Sequence, residues 1–150
     1  MGIREIENTQ HILPNSVNRA VTILIVDDDE FLLQYVGLVL TRAGYCVVRA
    51  ENGEEAWNLI LDTTHQIRLL LTDIVMPGSF DGFELAERAR RLHPDLPVLL
   101  MTGALPNDHP RTDVFTRQGM LLRKPFYPDQ LLAIVRENLE SAEQSLQREF

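Results

Sequence analysis

Val21-Thr22-Ile23-Leu24-Ile25-Val26-Asp27-Asp28-Asp29 decides how the rest of this sequence is read. An apolar, β-branched run without polar alternation describes a strand covered on both faces, and the abrupt change to aspartates marks its carboxyl end. The same design recurs downstream. Ile67 to Thr72 runs into Asp73, Val98 to Met101 into Thr102-Gly103, and Met120 to Arg123 into Lys124-Pro125. Each of these runs delivers a polar group where it stops.

Helical patterns fill the gaps. Leu33, Val36, Leu40 and Ala43 keep helical spacing from Asp29 to Ala43, and Gly44 stands where a helix stop belongs. Tyr45 to Arg49 reads as a second strand, and Asn52 as the cap of a helix reaching Leu61. After the break at Met76 to Phe80, Phe83, Leu85, Ala86, Ala89 and Leu92 mark a third helix. Pro106 and Pro110 confine the fourth to a short helix starting near Pro110, and a long final helix begins at Asp129. Five strands alternating with five helices predict right-handed βαβ crossovers and an α/β fold, a parallel sheet covered on both faces.

Such sheets gather their functional groups at the carboxyl ends of the strands, near a reversal of strand order. Asp27, Asp28, Asp29, Asp73, Thr102 and Lys124 are therefore expected on one rim. Carboxylates so close repel one another and call for a cation. Mg²⁺ suits an all-oxygen site with one or two carboxylates, waters and a phosphate. An aspartate can attack phosphorus, while a metal ion and a lysine neutralise the phosphoryl oxygens and a threonine hydroxyl donates to them. Asp73 is the expected phosphate carrier. Taken singly, each residue has a plainer role: Asp29 as a helix cap, Asp73 as a turn residue, Lys124 as a solvated charge.

The 150 residues fit one domain, with 45% hydrophobic and 24% charged residues. The net charge of -8 argues against direct binding to nucleic acid or an anionic membrane, which needs clustered Lys and Arg. The single cysteine, Cys46, excludes an intrachain disulfide and is expected as a small buried hydrophobe. No apolar run is long enough to span a membrane and no signal peptide is evident, so a cytoplasmic location is expected. Residues 1–20 are polar and read as a flexible extension. His11, His65, His93 and His109 lack metal-ligand spacing and receive no role, and Trp57 is expected in the core or at its margin.

Val26-Asp27-Asp28-Asp29-Glu30, Leu71-Thr72-Asp73-Ile74-Val75-Met76-Pro77, Asp81-Gly82, Met101-Thr102-Gly103 and Leu122-Arg123-Lys124-Pro125-Phe126 resemble the receiver domains of bacterial response regulators. The resemblance covers residues 21–139, with 140–150 continuing the last helix. It implies a flavodoxin-like (βα)5 fold, doubly wound, with strand order 2-1-3-4-5. It also implies that Asp73 is phosphorylated by a sensor histidine kinase or a histidine phosphotransfer protein. Asp28, Asp73 and the Val75 backbone carbonyl would bind Mg²⁺, with Asp27 acting through water. Thr102 and Lys124 would contact the phosphoryl group, and the Lys124-Pro125 peptide would be cis. Such a chain is a binary switch or relay intermediate rather than an enzyme.

The sequence departs from the family pattern in two places. Leu121 stands where many members carry a switching aromatic residue, so the signal would move through Thr102, the 103–119 segment and altered packing. The loop between Pro77 and Gly82 is one residue longer than the commonest spacing. Val75 and Ala104 occupy positions that influence water attack on the phosphorylated aspartate, and neither side chain can orient a water.

In the last helix, Leu132, Val135, Leu139, Ala142 and Leu146 follow heptad spacing. A homodimer seam or partner-docking face is one reading; packing of the first turns on the sheet is the other. An enzyme alternative, a haloacid-dehalogenase-type phosphatase with its nucleophile in Asp27-x-Asp29, lacks the following Gly-Thr and a late acidic pair. A binding module with vestigial phosphorylation is disfavoured by the complete acidic set and Lys124.

Overall fold

The computed structural model describes residues 20–78, 80–103 and 110–148. The expected N-terminal extension (except Ala20), Ala104, His11 and His109 lie outside the described residues. Among the described residues, the strands are β1 (Thr22–Val26), β2 (Cys46–Ala50), β3 (Ile67–Asp73), β4 (Val98–Thr102) and β5 (Leu121–Arg123). The helices are α1 (Glu30–Arg42), α2 (Gly53–Leu61), α3 (Gly82–Leu92), α4 (Pro110–Arg117) and α5 (Pro128–Arg148), with a short 3-10 turn at Thr63–His65. The strands form one sheet in the order β2-β1-β3-β4-β5, every pairing parallel.

Local chemistry sets the boundaries. Asp29 caps α1 by accepting hydrogen bonds from the Phe31 and Leu32 amides at 3.0 and 3.4 Å. Gly44, at a φ of +101°, turns the chain away after Ala43, where a side chain would be strained. Asn52 caps α2 by accepting from the Glu55 amide at 2.8 Å, and Asp81 caps α3 by accepting from the Glu84 amide at 3.0 Å.

Alternation along the strands sends side chains into two layers. Leu24, Val26, Leu70 and Leu100 face α2, α3 and α4, where they meet Ile60, Leu85 and Phe115. Ile23, Ile25, Leu69, Leu71, Leu99 and Met101 face α1 and α5, where they meet Val36, Leu40, Leu131 and Val135. Each fully buried Leu or Ile contributes about 2 kcal/mol, so these layers hold the strand ends far more firmly than helix propensity does.

One expectation needs correction, and one open reading is narrowed. Cys46 is exposed, because it opens β2, an edge strand paired only with β1. In α5 the face against the sheet is Leu131, Val135 and Asn138, one residue out of step with part of the heptad series. Asn138 is accommodated there by donating to the Gly119 and Ile134 carbonyls at 3.2 and 2.9 Å. Leu132 and Leu139 pack at the margin of the same core, so the early part of the stripe serves this domain itself. Trp57 sits at the core margin as expected.

Candidate functional site

The chain leaves β1 toward β2 on one side and returns to β3 on the other, so the strand order reverses between β1 and β3. At the carboxyl ends of these neighbours stand Asp27 and Asp73, 1% and 7% exposed. Asp28 is exposed beside them, and the carboxylates of Asp27, Asp28 and Asp73 each offer an oxygen within 4.8 Å of the others. Lys124, just after β5, reaches across the rim to place its Nζ 2.8 Å from Asp27 Oδ2 and 3.3 Å from Asp73 Oδ1. Its backbone amide donates to the Thr102 carbonyl at 2.8 Å, which ties the end of β4 to the same corner. Thr102 is 3% exposed. Thus the side chains of Asp27, Asp28, Asp73 and Lys124, from three strand ends, converge, and β4 joins the corner through the Thr102 carbonyl.

Supporting contacts hold them. The Asp29 amide donates to Asp27 Oδ1 at 2.9 Å, so both oxygens of the Asp27 carboxylate are engaged. Asp29 itself is occupied as the α1 cap. The Lys124-Pro125 peptide is cis. Tyr35 Oη donates to the Phe126 carbonyl at 3.1 Å, fastening the segment after Lys124 to α1. Val75 lies exposed at the rim, two residues beyond Asp73.

Electrostatics follow from the crowding. Burial, and then the charge of Asp27, push the Asp73 carboxyl up from 3.8 to about 6. The charge and hydrogen bond of Lys124 and the Ile74 amide pull it back only in part. Burial pulls Lys124 down, but its hydrogen bonds to Asp27 and Asp73 and their charges win, leaving the ammonium more basic than an ordinary lysine. One ammonium for three clustered carboxylates leaves a surplus of negative charge. Hard oxygen donors with unneutralised charge are what a small divalent cation requires.

A family model described as "Response regulator receiver domain" matches residues 23–136. The chain belongs to the response regulator receiver family. Response regulator receiver protein CpdR of Brucella abortus is 36% identical over 121 residues, spanning 80% of this chain and 98% of that protein. The phosphate regulon transcriptional regulatory protein PhoB of Pseudomonas aeruginosa is 34% identical over 114 residues, but the match covers only 48% of it. A receiver domain protein (CheY-like) from Methanospirillum hungatei superposes with a TM-score of 0.74 at 30% identity, over 84% of this chain and 98% of that one. Receiver membership removes the haloacid-dehalogenase alternative, whose nucleophile would have been Asp27.

Reading the sequence identified the charged corner but passed over two residues beside Asp73. Thr72 donates its hydroxyl to the Asp73 carbonyl at 2.9 Å, and Gly82 packs against that same carbonyl. The Asp81-Gly82 pair was a visible signal; a strand threonine carries none.

Proposed function

We propose that this receiver is a phosphorylation switch in which Asp73 accepts a phosphoryl group from the phosphohistidine of a sensor histidine kinase or a histidine phosphotransfer protein. The observation that carries this reading is the Lys124 ammonium bridging Asp27 and Asp73, with Asp28 alongside. A carboxylate pushed up to about 6 is still ionised at neutral pH and able to attack. In the transfer, an Asp73 oxygen bonds to phosphorus as the phosphorus–nitrogen bond breaks, and the released imidazole keeps the electron pair.

Mg²⁺ is the cation the donor set fits best, held by Asp28, Asp73 and the Val75 carbonyl, with Asp27 acting through water. Bound there, it would supply positive charge to the phosphoryl oxygens. Lys124 neutralises the same oxygens from the β5 side, and the Thr102 hydroxyl donates to them from β4. Phosphorylation then biases the packing of α4, β5 and α5 and so changes the affinity for a downstream protein. Since Leu121 is only partly buried at the start of β5 and has no ring to rotate, the change travels through Thr102 and the segment that follows it.

Among the described residues no helix is long and apolar enough to cross a membrane, and the acidic net charge argues against direct nucleic acid binding. A homodimer through the last helix would have to use Ala142 and Leu146, because Val135 is fully buried in the domain's own core. Light scattering tests this: a monomer both before and after phosphorylation rules it out. The phosphoacceptor reading is tested by transfer from purified phosphorylated histidine kinases. Label should move to wild-type protein and not to Asp73→Asn; label on both variants defeats the reading.

A further inference from the structure

Thr72 is fully buried near the end of β3, on the face it shares with Leu70. A hydroxyl in an apolar layer must find a partner, and this one donates to the carbonyl of Asp73 at 2.9 Å. Valine has the same shape, an equal liking for strands, and no polar atom to satisfy. Valine would remove this donor from the Asp73 carbonyl, so the hydroxyl is committed to the backbone beside the carboxylate that would carry phosphate.

The same carbonyl is also crowded by α3. Gly82 opens α3, directly after the Asp81 cap. A Cβ on Gly82 would overlap the Asp73 carbonyl oxygen and come within 2.8 Å of Ile74 Cα, so only glycine lets α3 sit this close. From there the Gly82 amide donates to the Ile74 carbonyl at 2.8 Å, while the Ile74 amide donates to Met101 at 3.1 Å. The Asp73-Ile74 peptide is thus held by hydrogen bonds at its carbonyl and its amide and approached closely by Gly82, between the residue that would carry phosphate and the carbonyl of Val75.

We propose that Thr72 and Gly82 are positioning residues that clamp this peptide and so aim the Asp73 carboxylate and the Val75 carbonyl at a shared ion. The proposal rests on the reading of Asp73 as phosphoacceptor. Orientation errors of an ångström or less at a reacting centre are costly, so loss of the clamp is felt in chemistry before it is felt in folding.

The test compares full-length wild type, Thr72→Val, Thr72→Ser and Gly82→Ala by thermal melting, Mg²⁺ titration calorimetry and phosphorylation from phosphoramidate. Thr72→Val should stay folded, with a melting temperature within a few degrees of wild type, yet bind Mg²⁺ more weakly and take phosphate about tenfold more slowly. Thr72→Ser, which keeps the hydroxyl, should recover to within about twofold of wild type. Gly82→Ala should lose more of both functions than Thr72→Val; if it does not fold, the valine and serine variants still decide. Thr72→Val matching wild type in both functions, or Thr72→Ser falling as far as Thr72→Val, overturns the clamp. Wild-type protein that takes no phosphate at Asp73 defeats the phosphoacceptor reading instead, and the Mg²⁺ comparison still judges the clamp.

Discussion

Replacing Asp73 with Asn should stabilise the ion-free protein, although it removes the residue on which the function depends. Asp73 titrates at about 6 in the fold against 3.8 as an ordinary carboxyl. The folded state therefore binds its proton more tightly than the unfolded state does. For such a group the stability contribution is complete below about pH 4 and is lost as the pH rises through the folded value near 6. A difference of roughly two pH units corresponds to about 3 kcal/mol of lost stability at neutral pH and above. That figure is already net of the attraction of Lys124, which counts among the causes of the titration position. Asparagine carries no charge to desolvate, and Lys124 retains Asp27 as its partner. Urea unfolding in EDTA at about pH 8 should find Asp73→Asn more stable by about 2–3 kcal/mol, with the gap closing toward pH 4. Saturating Mg²⁺ should raise the wild type selectively, because an ion that binds only the folded state stabilises it. Equal or lower stability of Asp73→Asn in EDTA at about pH 8 would refute the reasoning.

Other perturbations follow from the same geometry. Lys124→Met leaves Asp27 and Asp73 without their shared ammonium; stability at neutral pH in EDTA should fall by roughly 1–3 kcal/mol, and phosphorylation from a small phosphodonor by about 100-fold or more. Val75→Asn places an amide at the exposed rim where valine cannot orient a water; phosphate release from the phosphorylated protein should quicken several-fold, and an unchanged rate counts against it. Asn52→Ala removes the α2 cap and should cost about 1 kcal/mol in chemical denaturation, without altering Mg²⁺ affinity. Arg88 stacks 4.5 Å over the Phe80 ring and pairs with Glu84, so Arg88→Ala should cost about 1 kcal/mol and loosen the loop before α3, read by proteolysis.

Why the charged corner was legible and its surroundings were not is a matter of periodicity and topology. Each strand ends abruptly at a polar residue, and in a parallel sheet all such ends lie on one rim; Asp27, Asp73, Thr102 and Lys124 could be brought together on that rule alone. Strand order is not encoded in alternation, and it was supplied by the receiver resemblance. Cys46 illustrates the cost of reading a run locally: Tyr45 to Val48 is apolar like the central strands, but β2 lies at the edge and its first residue faces water. The α5 stripe has a similar ambiguity, since three-and-four spacing fits a seam and a core face equally. The packing of Leu131 and Val135 against the sheet assigns the first turns to the core and leaves the seam reading to Ala142 and Leu146. The Thr72 hydroxyl could not be read at all, because hydrogen bonding to a neighbour's carbonyl leaves no trace in sequence pattern.

The most direct test of the central claim is to locate the phosphoryl group by mass spectrometry after treating the full chain with phosphoramidate. The account predicts a single acid-labile group on Asp73, formed with Mg²⁺ and lost in EDTA. A group on Asp27 or Asp28, or one formed equally well without a divalent ion, would contradict it.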